Sequence, residues 1–378
     1  MSKPFFTAGL RTPFARAFKG DYKDIRPDDL LLELINAQKE KNKALWARGV
    51  SDFIVGCAYP EGEQGYNIAR MVSLGSGLNA PGLTVNRLCA SSLEAVAIAA
   101  LRVKAGWGDL YLTGGIESMS RIPRGGAGFS PSEKVQQASS EAYIQMGFTA
   151  ENVAKEFPTV SRAEQEKLAG KSHELADQAW KDGHYQQMIH PYLIEKDQFI
   201  RVPVNYEKIS SLPPAFKEDG VITAATSSPL TDGATSGWVA SEEVLKEHGY
   251  QDGLEIEHAS WGHVAPEVMG MGPVPAVQNL IKETGISLDE ISAFEINEAF
   301  AVQVLASGSE LGLDMAKVNA WGGAMALGHP LGASGLRLVM TLHGRLRDLG
   351  EDGARGIATL CVGGGQGMAL LCRYKKFQ

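Results

Sequence analysis

The 378-residue chain lacks any long hydrophobic run. No stretch reaches the roughly 18 apolar residues that a transmembrane helix needs. The N-terminal segment MSKPFFTAGLRTPFARAF has no apolar core of signal-peptide length, and the final KKFQ is not a peroxisomal address of the SKL type. These features predict a cytoplasmic protein without membrane insertion.

Basic charge is also scarce, with 36 lysines and arginines against 44 acidic residues and a formal net charge of -8. This balance argues against a general nucleic-acid partner, although a local basic pocket for an anionic ligand remains compatible with it. The hydrophobic fraction of 44% is ordinary for a globular protein.

Cysteine is rare, and the four cysteines are Cys57, Cys89, Cys361 and Cys372. They are too few for a disulfide framework in a chain of this length, and none forms a CxxC or CxH pair. We therefore predict no structural zinc site. A cysteine is by default a small buried apolar residue, and we keep that interpretation for Cys57 and Cys372.

What the chain does have is an internal duplication. The stretches VSDFIVG, TVNRLCASSLEAVAIAALRV and DLYLTGGIESM have counterparts in ISAFEIN, KVNAWGGAMALGHPLGASGLRLV and GIATLCVGGGQGM, in the same order. Strand-like runs alternate with helical patterns in both sets, which indicates an α/β protein of two similar halves. Loops from equivalent strand ends would then face a shared crevice.

The middle of the chain interrupts this pattern. It is richer in charge, contains Pro/Gly-rich stretches, and carries a capping-box signature at Ser161 and Glu164. We interpret it as an inserted loop domain. The predicted division is an N-terminal half of residues 1–118 plus 219–248, an insertion of residues 119–218 and a C-terminal half of residues 249–378.

Cys89 stands where a short strand passes into a helix. The predicted apolar face of that helix carries Leu93, Val96, Ala97, Ala100 and Leu101. A thiol in the first turn lies near the positive end of the helix dipole, which favours the thiolate and predicts a lowered pKa. Cys89 is thus a candidate nucleophile, while close packing of small residues is the alternative explanation.

Three further stretches carry potential chemistry. His329 lies in the glycine-rich WGGAMALGHPLGASG, where small neighbours would let an imidazole approach a ligand. Cys361 ends an apolar strand before three glycines, whose N–H groups could form an anion-binding nest or oxyanion hole; a dinucleotide loop fits less well. Asn297 follows the strand ISAFEI, either as a turn former or as a residue that positions a water.

Together these residues resemble the thiolase family. Nine motifs occur in family order from residue 11 to residue 367: RTPF, VNRLCASS, GGIESMS, MGFTAENVA, SSPLTDGA, MGMGPVPA, NEAF, GHPLGASG and CVGGGQG. The resemblance implies a five-layered αβαβα fold of two pseudo-twofold-related halves with a loop domain over the site. It also implies acyl transfer between 3-oxoacyl-CoA and CoA, without a metal or redox cofactor.

The resemblance assigns a role to each candidate. Cys89 would attack the 3-keto carbon, His329 would be the general base, and Cys361 would protonate the leaving enolate. One oxyanion hole would combine His329 with a water held by Asn297, and the other would use the N–H groups of Cys89 and Gly363. The predicted coenzyme A contacts are Ser228, Ala224, Phe216, Met146 and Phe300, with the nucleotide end held by the loop domain.

Some positions depart from the family pattern. Ser92, Ala225–Thr226 and Pro213 replace a more usual glycine, Gly-Asn and basic residue, and the last change predicts a missing phosphate contact. Gln145 replaces the histidine typical of short-chain members, which favours a degradative 3-ketoacyl-CoA thiolase of fatty acid β-oxidation. An acetoacetyl-CoA-specific enzyme is the main alternative, and a non-catalytic acyl-CoA-binding relative or a ketosynthase is less compatible with the intact motifs. Family members suggest a homodimer or homotetramer, with a possible β-oxidation hydratase/dehydrogenase partner.

Overall fold

The computed structural model describes residues 2–377. Its strands are β1 (Pro4–Arg11), β2 (Ala15–Arg16), β3 (Asp52–Cys57), β4 (Gly82–Val85), β5 (Leu110–Ser118), β6 (Thr231–Ser241), β7 (Asp252–His263), β8 (Ile291–Ile296), β9 (Arg355–Val362) and β10 (Gln366–Lys376). The α-helices are α1 (Pro27–Lys41), α2 (Lys43–Arg48), α3 (Ile68–Ser76), α4 (Ser91–Lys104), α5 (Glu133–Ala138), α6 (Met146–Glu156), α7 (Arg162–Lys181), α8 (Tyr206–Ser210), α9 (Glu242–Glu247), α10 (Pro273–Thr284), α11 (Ala301–Glu310), α12 (Ala324–Leu327) and α13 (Leu331–Leu349).

The strand order repeats in the two halves. The N-terminal order is β4-β3-β5-β6-β1, and the C-terminal order, read from the other edge, is β8-β9-β10-β7. The pairing directions repeat as well. In the N-terminal half β3 and β5 are parallel and β5 and β6 antiparallel, and in the C-terminal half β8 and β9 are parallel and β9 and β10 antiparallel. A bridge between Phe294 and Val318 takes the place of β4.

The halves join where β1 runs beside β7, with Phe5 opposite Glu255 and Phe6 opposite Leu254. Helices α4 and α13 contact each other and strands of both halves. Helix α1 covers the outer face of the N-terminal strands, and α10 covers that of the C-terminal strands. This is the predicted five-layered α/β arrangement, and it explains why β5 and β6 are buried at every position.

The two inner helices touch at a glycine. A Cβ built on Gly335 would lie 2.4 Å from the backbone nitrogen of Leu93, so only glycine allows α13 to approach α4 this closely. Both helices start near this contact, at Ser91 and Leu331. The residues just before each start therefore meet across the two halves.

The segment between β5 and β6 contains helices α5–α8. Helix α7 begins with the predicted capping box. The Ser161 side chain accepts from the backbone N–H of Glu164, and the Glu164 carboxylate accepts from the backbone N–H of Ser161. Asp197 anchors the segment to β1 through a buried bidentate ion pair with Arg11, at 2.7 and 2.8 Å.

The division of the chain at residues 118/119, 218/219 and 248/249 stays a prediction. Across residues 2–377, no helix has both the length and the apolar character needed to cross a bilayer.

Candidate active site

Cys89 lies in a tight turn, Leu88–Ala90, between β4 and α4. Leu88 has φ +45°, a left-handed conformation that is uncommon for a residue with a side chain. The side-chain oxygen of Asn86 accepts from Leu88 N–H at 2.8 Å and holds this turn. The strained turn thus places Cys89 just before the N-terminus of α4 and not within its first turn, as the sequence predicted.

The predicted lowering of the Cys89 pKa is wrong. Burial raises the pKa of this thiol to about 11, and the nearby Glu117 carboxylate raises it further. A hydrogen bond from Gly363 N–H to the sulfur opposes this rise without cancelling it. The removal of a thiolate from water therefore outweighs the backbone hydrogen bonds to the sulfur, and the Cys89 thiol stays protonated at neutral pH.

Cys361 is the penultimate residue of β9 and is buried close to Cys89. Burial raises the pKa of the Cys361 thiol, and the closeness of Cys89 raises it further. Gly364 and Gly365 both have positive φ, at 79° and 76°, and they turn the chain so that Gly363 N–H faces Cys89. The structure thus brings the two thiols and the Gly363 amide together.

His329 and Asn297 form the other side of the cluster. Nδ2 of Asn297 lies 3.3 Å from Nε2 of His329. The backbone N–H of His329 donates to Thr231 Oγ1 at 3.0 Å, which fixes the chain just before α13. Burial and then the Arg337 guanidinium lower the pKa of His329 to about 3, so the imidazole is neutral at physiological pH.

A neutral thiol beside a neutral imidazole is not a preformed ion pair. With a pKa of about 11 for Cys89 and about 3 for His329, the thiolate–imidazolium state is strongly disfavoured in the free protein. The thiol must therefore lose its proton as the sulfur attacks, and a developing negative charge must be stabilised at that moment.

Glu117, at the end of β5, is a site residue to which sequence reasoning gave no role. Its buried carboxylate accepts from Gly332 N–H in α13 and Ala58 N–H after β3, each at 2.9 Å, and from the Gln64 amide at 2.8 Å. Burial raises the pKa of Glu117 to about 6. This carboxylate ties the N-terminus of α13, which follows His329, to the N-terminal half.

The predicted coenzyme A contacts fall into two groups. Met146, Phe300 and Cys361 belong to one apolar cluster, and Phe216 packs edge-on against Phe300 with ring centroids 6.0 Å apart. The backbone N–H of Ser228 donates to Ala299 O at 2.9 Å. The structure brings these residues to one region without assigning them a ligand.

Ala224 lines a separate cavity of about 540 Å³, which lies between the inserted segment and the residues just before β6. Its wall carries the cations of Arg16, Arg201 and Lys208 beside apolar residues such as Phe199. Among the lining residues that the structure describes, none is a carboxylate. The cavity therefore suits an anionic ligand with an apolar part.

Two other residues escaped the sequence reasoning. Ser334 Oγ lies 2.6 Å from His329 Nδ1, and Arg337 donates to Asn297 Oδ1 at 3.2 Å. A signal existed for Arg337, since it is a charged residue in an otherwise apolar helix, LGASGLRLVMTL.

No cluster of three or more potential metal ligands occurs within residues 2–377.

Comparison with known families settles the relationship. Residues 5–243 match the model of the thiolase N-terminal domain, and residues 253–374 match that of the thiolase C-terminal domain. The chain belongs to the thiolase family.

Relatives align over almost the full length of this thiolase. A 3-ketoacyl-CoA thiolase of Bacillus subtilis (strain 168) is 37% identical over 98% of each chain. The crystal structure of the Bacillus anthracis acetyl-CoA acetyltransferase matches with a TM-score of 0.89 and 33% identity over 99% of each chain. Human mitochondrial 3-ketoacyl-CoA thiolase in complex with CoA matches with a TM-score of 0.88 and 32% identity, covering 100% of this chain and 98% of that one. The protein is therefore an acyltransferase of the thiolase type.

Proposed function

We propose that this thiolase cleaves 3-oxoacyl-CoA with CoA, giving acetyl-CoA and a shortened acyl-CoA. The observation that carries the proposal is that the turn of Cys89 contacts both β9, which carries Cys361, and α13, which follows His329, while His329 lies 3.3 Å from Asn297. Two thiols suit this chemistry, because one can hold the acyl group while the other exchanges a proton with carbon.

In the first step, the Cys89 sulfur attacks the 3-keto carbon while its proton passes to His329. The oxyanion faces the His329–Asn297 side of the site. The bond between C2 and C3 then breaks, the acyl group stays on Cys89 as a thioester, and the electron pair moves into the acetyl-CoA enolate. Cys361 gives its proton to C2 of this enolate and becomes a thiolate.

In the second step, the imidazolium of His329 returns its proton to the Cys361 thiolate. The neutral imidazole then accepts the proton of an incoming CoA thiol, whose sulfur attacks the thioester. The N–H groups of Cys89 and Gly363 face the second oxyanion. Collapse releases the shortened acyl-CoA, and His329 reprotonates the Cys89 sulfur, so that every proton is accounted for.

We assign the cavity of about 540 Å³ to the nucleotide end of coenzyme A. Arg16, Arg201 and Lys208 provide the positive charge that phosphate groups require, and the predicted contact Ala224 lies on the same wall. Lys208 and Arg201 then compensate for the phosphate contact that Pro213 lacks. The CoA complex of the human mitochondrial relative supports coenzyme A as the ligand.

The native setting is part of the proposal. The cysteines are free thiols, which suits a reducing compartment such as the cytoplasm. The family suggests a homodimer or homotetramer, and a β-oxidation hydratase/dehydrogenase is the proposed partner. The native mass, measured alone and with such a partner, tests these assignments.

The deciding experiment is CoA-dependent cleavage of 3-oxoacyl-CoA substrates from four to sixteen carbons, followed by loss of the enolate absorbance. Activity that rises beyond four carbons supports the degradative enzyme. Activity confined to acetoacetyl-CoA favours the runner-up, an acetyl-CoA acetyltransferase like the Bacillus anthracis relative. No cleavage of any substrate would overturn the proposal.

A further inference from the structure

The His329 imidazole belongs to a line of hydrogen bonds that begins at a buried cation. Arg337 donates to Oδ1 of Asn297 at 3.2 Å, and Nδ2 of Asn297 lies 3.3 Å from Nε2 of His329. On the other side, Nδ1 of His329 lies 2.6 Å from Ser334 Oγ, which donates to Pro330 O at 2.8 Å. The line thus joins the end of β8, the residues just before α13 and the first turns of α13.

The direction of each bond follows from the groups involved. A guanidinium can only donate, so the Asn297 carbonyl oxygen faces Arg337 and its NH₂ group faces His329. Nε2 of His329 is then the acceptor, and Nδ1 carries the proton that it donates to Ser334. Arg337 thereby sets the imidazole tautomer whose Nε2 carries no proton, which is the state that a general base needs.

The cation is costly to the fold. Arg337 is 1% exposed, and its ion pair with Glu295 is long, at 3.5 Å. Its Nε and Nη1 atoms have no hydrogen-bond partner among residues 2–377. A buried charge held this loosely is poor evidence for a stabilising role.

The N-terminal half shows that the architecture does not need this ion pair. Phe53 and Phe294 both pack in the outer apolar layers, so the following residues, Ile54 and Glu295, face the inner helices. Arg337 is the seventh residue of α13, and the seventh residue of α4 is Ala97. The apolar pair Ile54 and Ala97 thus stands where the C-terminal half has Glu295 and Arg337.

We propose that Arg337 is a positioning residue of the thiolase reaction, which orients the Asn297 amide and through it His329. The inference rests on the proposed function. It explains why a cation is kept in the core beside the site: the guanidinium acts on groups that change charge during the reaction.

The charge of Arg337 also has a measurable effect on His329. Burial and Arg337 are the two causes of the lowered His329 pKa. The other titratable groups buried around this region are Glu117, Glu295, Glu298, Cys89, Cys361, Tyr185 and Arg11. Removal of the guanidinium should therefore raise the His329 pKa, whereas loss of a purely structural contact has no reason to do so.

Arg337→Met tests the proposal, with Arg345→Met as the matched control. Arg345 shares the partner Glu295 at 2.6 Å and also binds Phe294 O and Lys317 O, yet it does not touch Asn297. In Arg337→Met we expect kcat to fall about 10- to 100-fold with little change in KM, since the oxyanion donor is loosened rather than removed. The His329 titration, followed through ¹³C-labelled histidine signals, should move to higher pH. Arg345→Met should keep kcat within about threefold and leave the titration in place.

Coupling to Asn297 gives a second check. If Arg337 acts through Asn297, Arg337→Met should add little to the loss already caused by Asn297→Ala. Independent, additive losses would overturn the proposal, as would equal changes in Arg345→Met and Arg337→Met. If Arg337→Met does not fold, Arg337→Lys decides: it keeps the charge without the guanidinium geometry, so kcat should fall while the His329 titration stays in place. Wild-type kcat in Arg337→Lys would then overturn the proposal.

The two hypotheses fail in different ways. A wild-type protein that cleaves no 3-oxoacyl-CoA would overturn the proposed function. The His329 titration needs no substrate, so an unchanged titration in Arg337→Met would overturn the positioning role even in an active enzyme.

Discussion

The two halves share a strand order but contribute unequally to the site. The N-terminal half supplies one candidate reacting side chain, Cys89, from a strained turn before α4. The C-terminal half supplies Asn297, His329 and Cys361 from three separate strand or helix ends. This difference shows that the duplicated framework fixes where the helix N-termini meet. Single side chains then decide which half supplies the nucleophile and which half supplies the proton-transfer groups.

The largest expected effect is on the side that attacks. Cys89→Ala should lower thiolysis by about 10⁴-fold or more, because no other group can hold the acyl chain. Cys57→Ala and Cys372→Ala are the matched controls, since both are buried free thiols with no role in the proposed mechanism, and they should retain most activity. Steady-state cleavage of a 3-oxoacyl-CoA measures all three. An active Cys89→Ala variant would overturn the mechanism.

The proton-handling side should behave differently. Cys361→Ala should lower carbon–carbon cleavage by about 10²- to 10⁴-fold, the range for loss of a general acid. Acylation of Cys89 by acetyl-CoA involves no carbon protonation and should be far less affected. Rapid-quench measurement of labelled acyl-enzyme separates the two steps, and equal losses in both would contradict the assigned role.

The contact between the halves can be broken without touching a reacting group. Gly335→Ala should lower the free energy of unfolding by about 1–3 kcal/mol and reduce activity, because the new Cβ meets the α4 backbone. Gly128→Ala is the control, since a Cβ there meets nothing within 4 Å. Thermal unfolding of the two variants makes the comparison, and an unchanged Gly335→Ala melting temperature would show that the halves can shift apart freely.

The charge state of Cys89 gives a subtler test. With a pKa of about 11, the alkylation rate of the free enzyme by iodoacetamide should rise about tenfold per pH unit from pH 7 to pH 9. A plateau in this range would instead indicate a preformed thiolate. Glu117→Gln removes a negative charge, so it should speed alkylation while slowing thiolysis through a less firmly held α13.

The smallest effect concerns the basic cavity. Lys208→Ala should raise the KM for CoA about three- to tenfold with kcat unchanged, because an exposed lysine–phosphate contact contributes modestly to binding. The effect should weaken at high salt. The exposed Lys43, which lies outside the cavity, provides the control as Lys43→Ala. A lower kcat in Lys208→Ala would move this residue closer to the chemistry than the cavity places it.

The sequence was sufficient to predict the duplicated α/β halves and the Ser161 cap, because periodicity and capping are local properties. It misjudged properties that depend on distant partners. The Cys89 pKa depends on burial beside the C-terminal half, and Leu101, predicted on the buried face of α4, is 66% exposed beyond the inner layers. Arg337 could be seen as unusual, but its partner Asn297 lies 40 residues earlier, on another element.

The contact at Gly335 has a consequence for the order of events during synthesis. The N-terminal half leaves the ribosome first and carries Cys89 without a base, without Gly363 and without the second thiol. Nothing in that half alone can turn the cysteine into an acyl carrier. Only when α13 docks on α4 do all the groups come together, so acyl-transfer activity reports that the last part of the chain has folded in place.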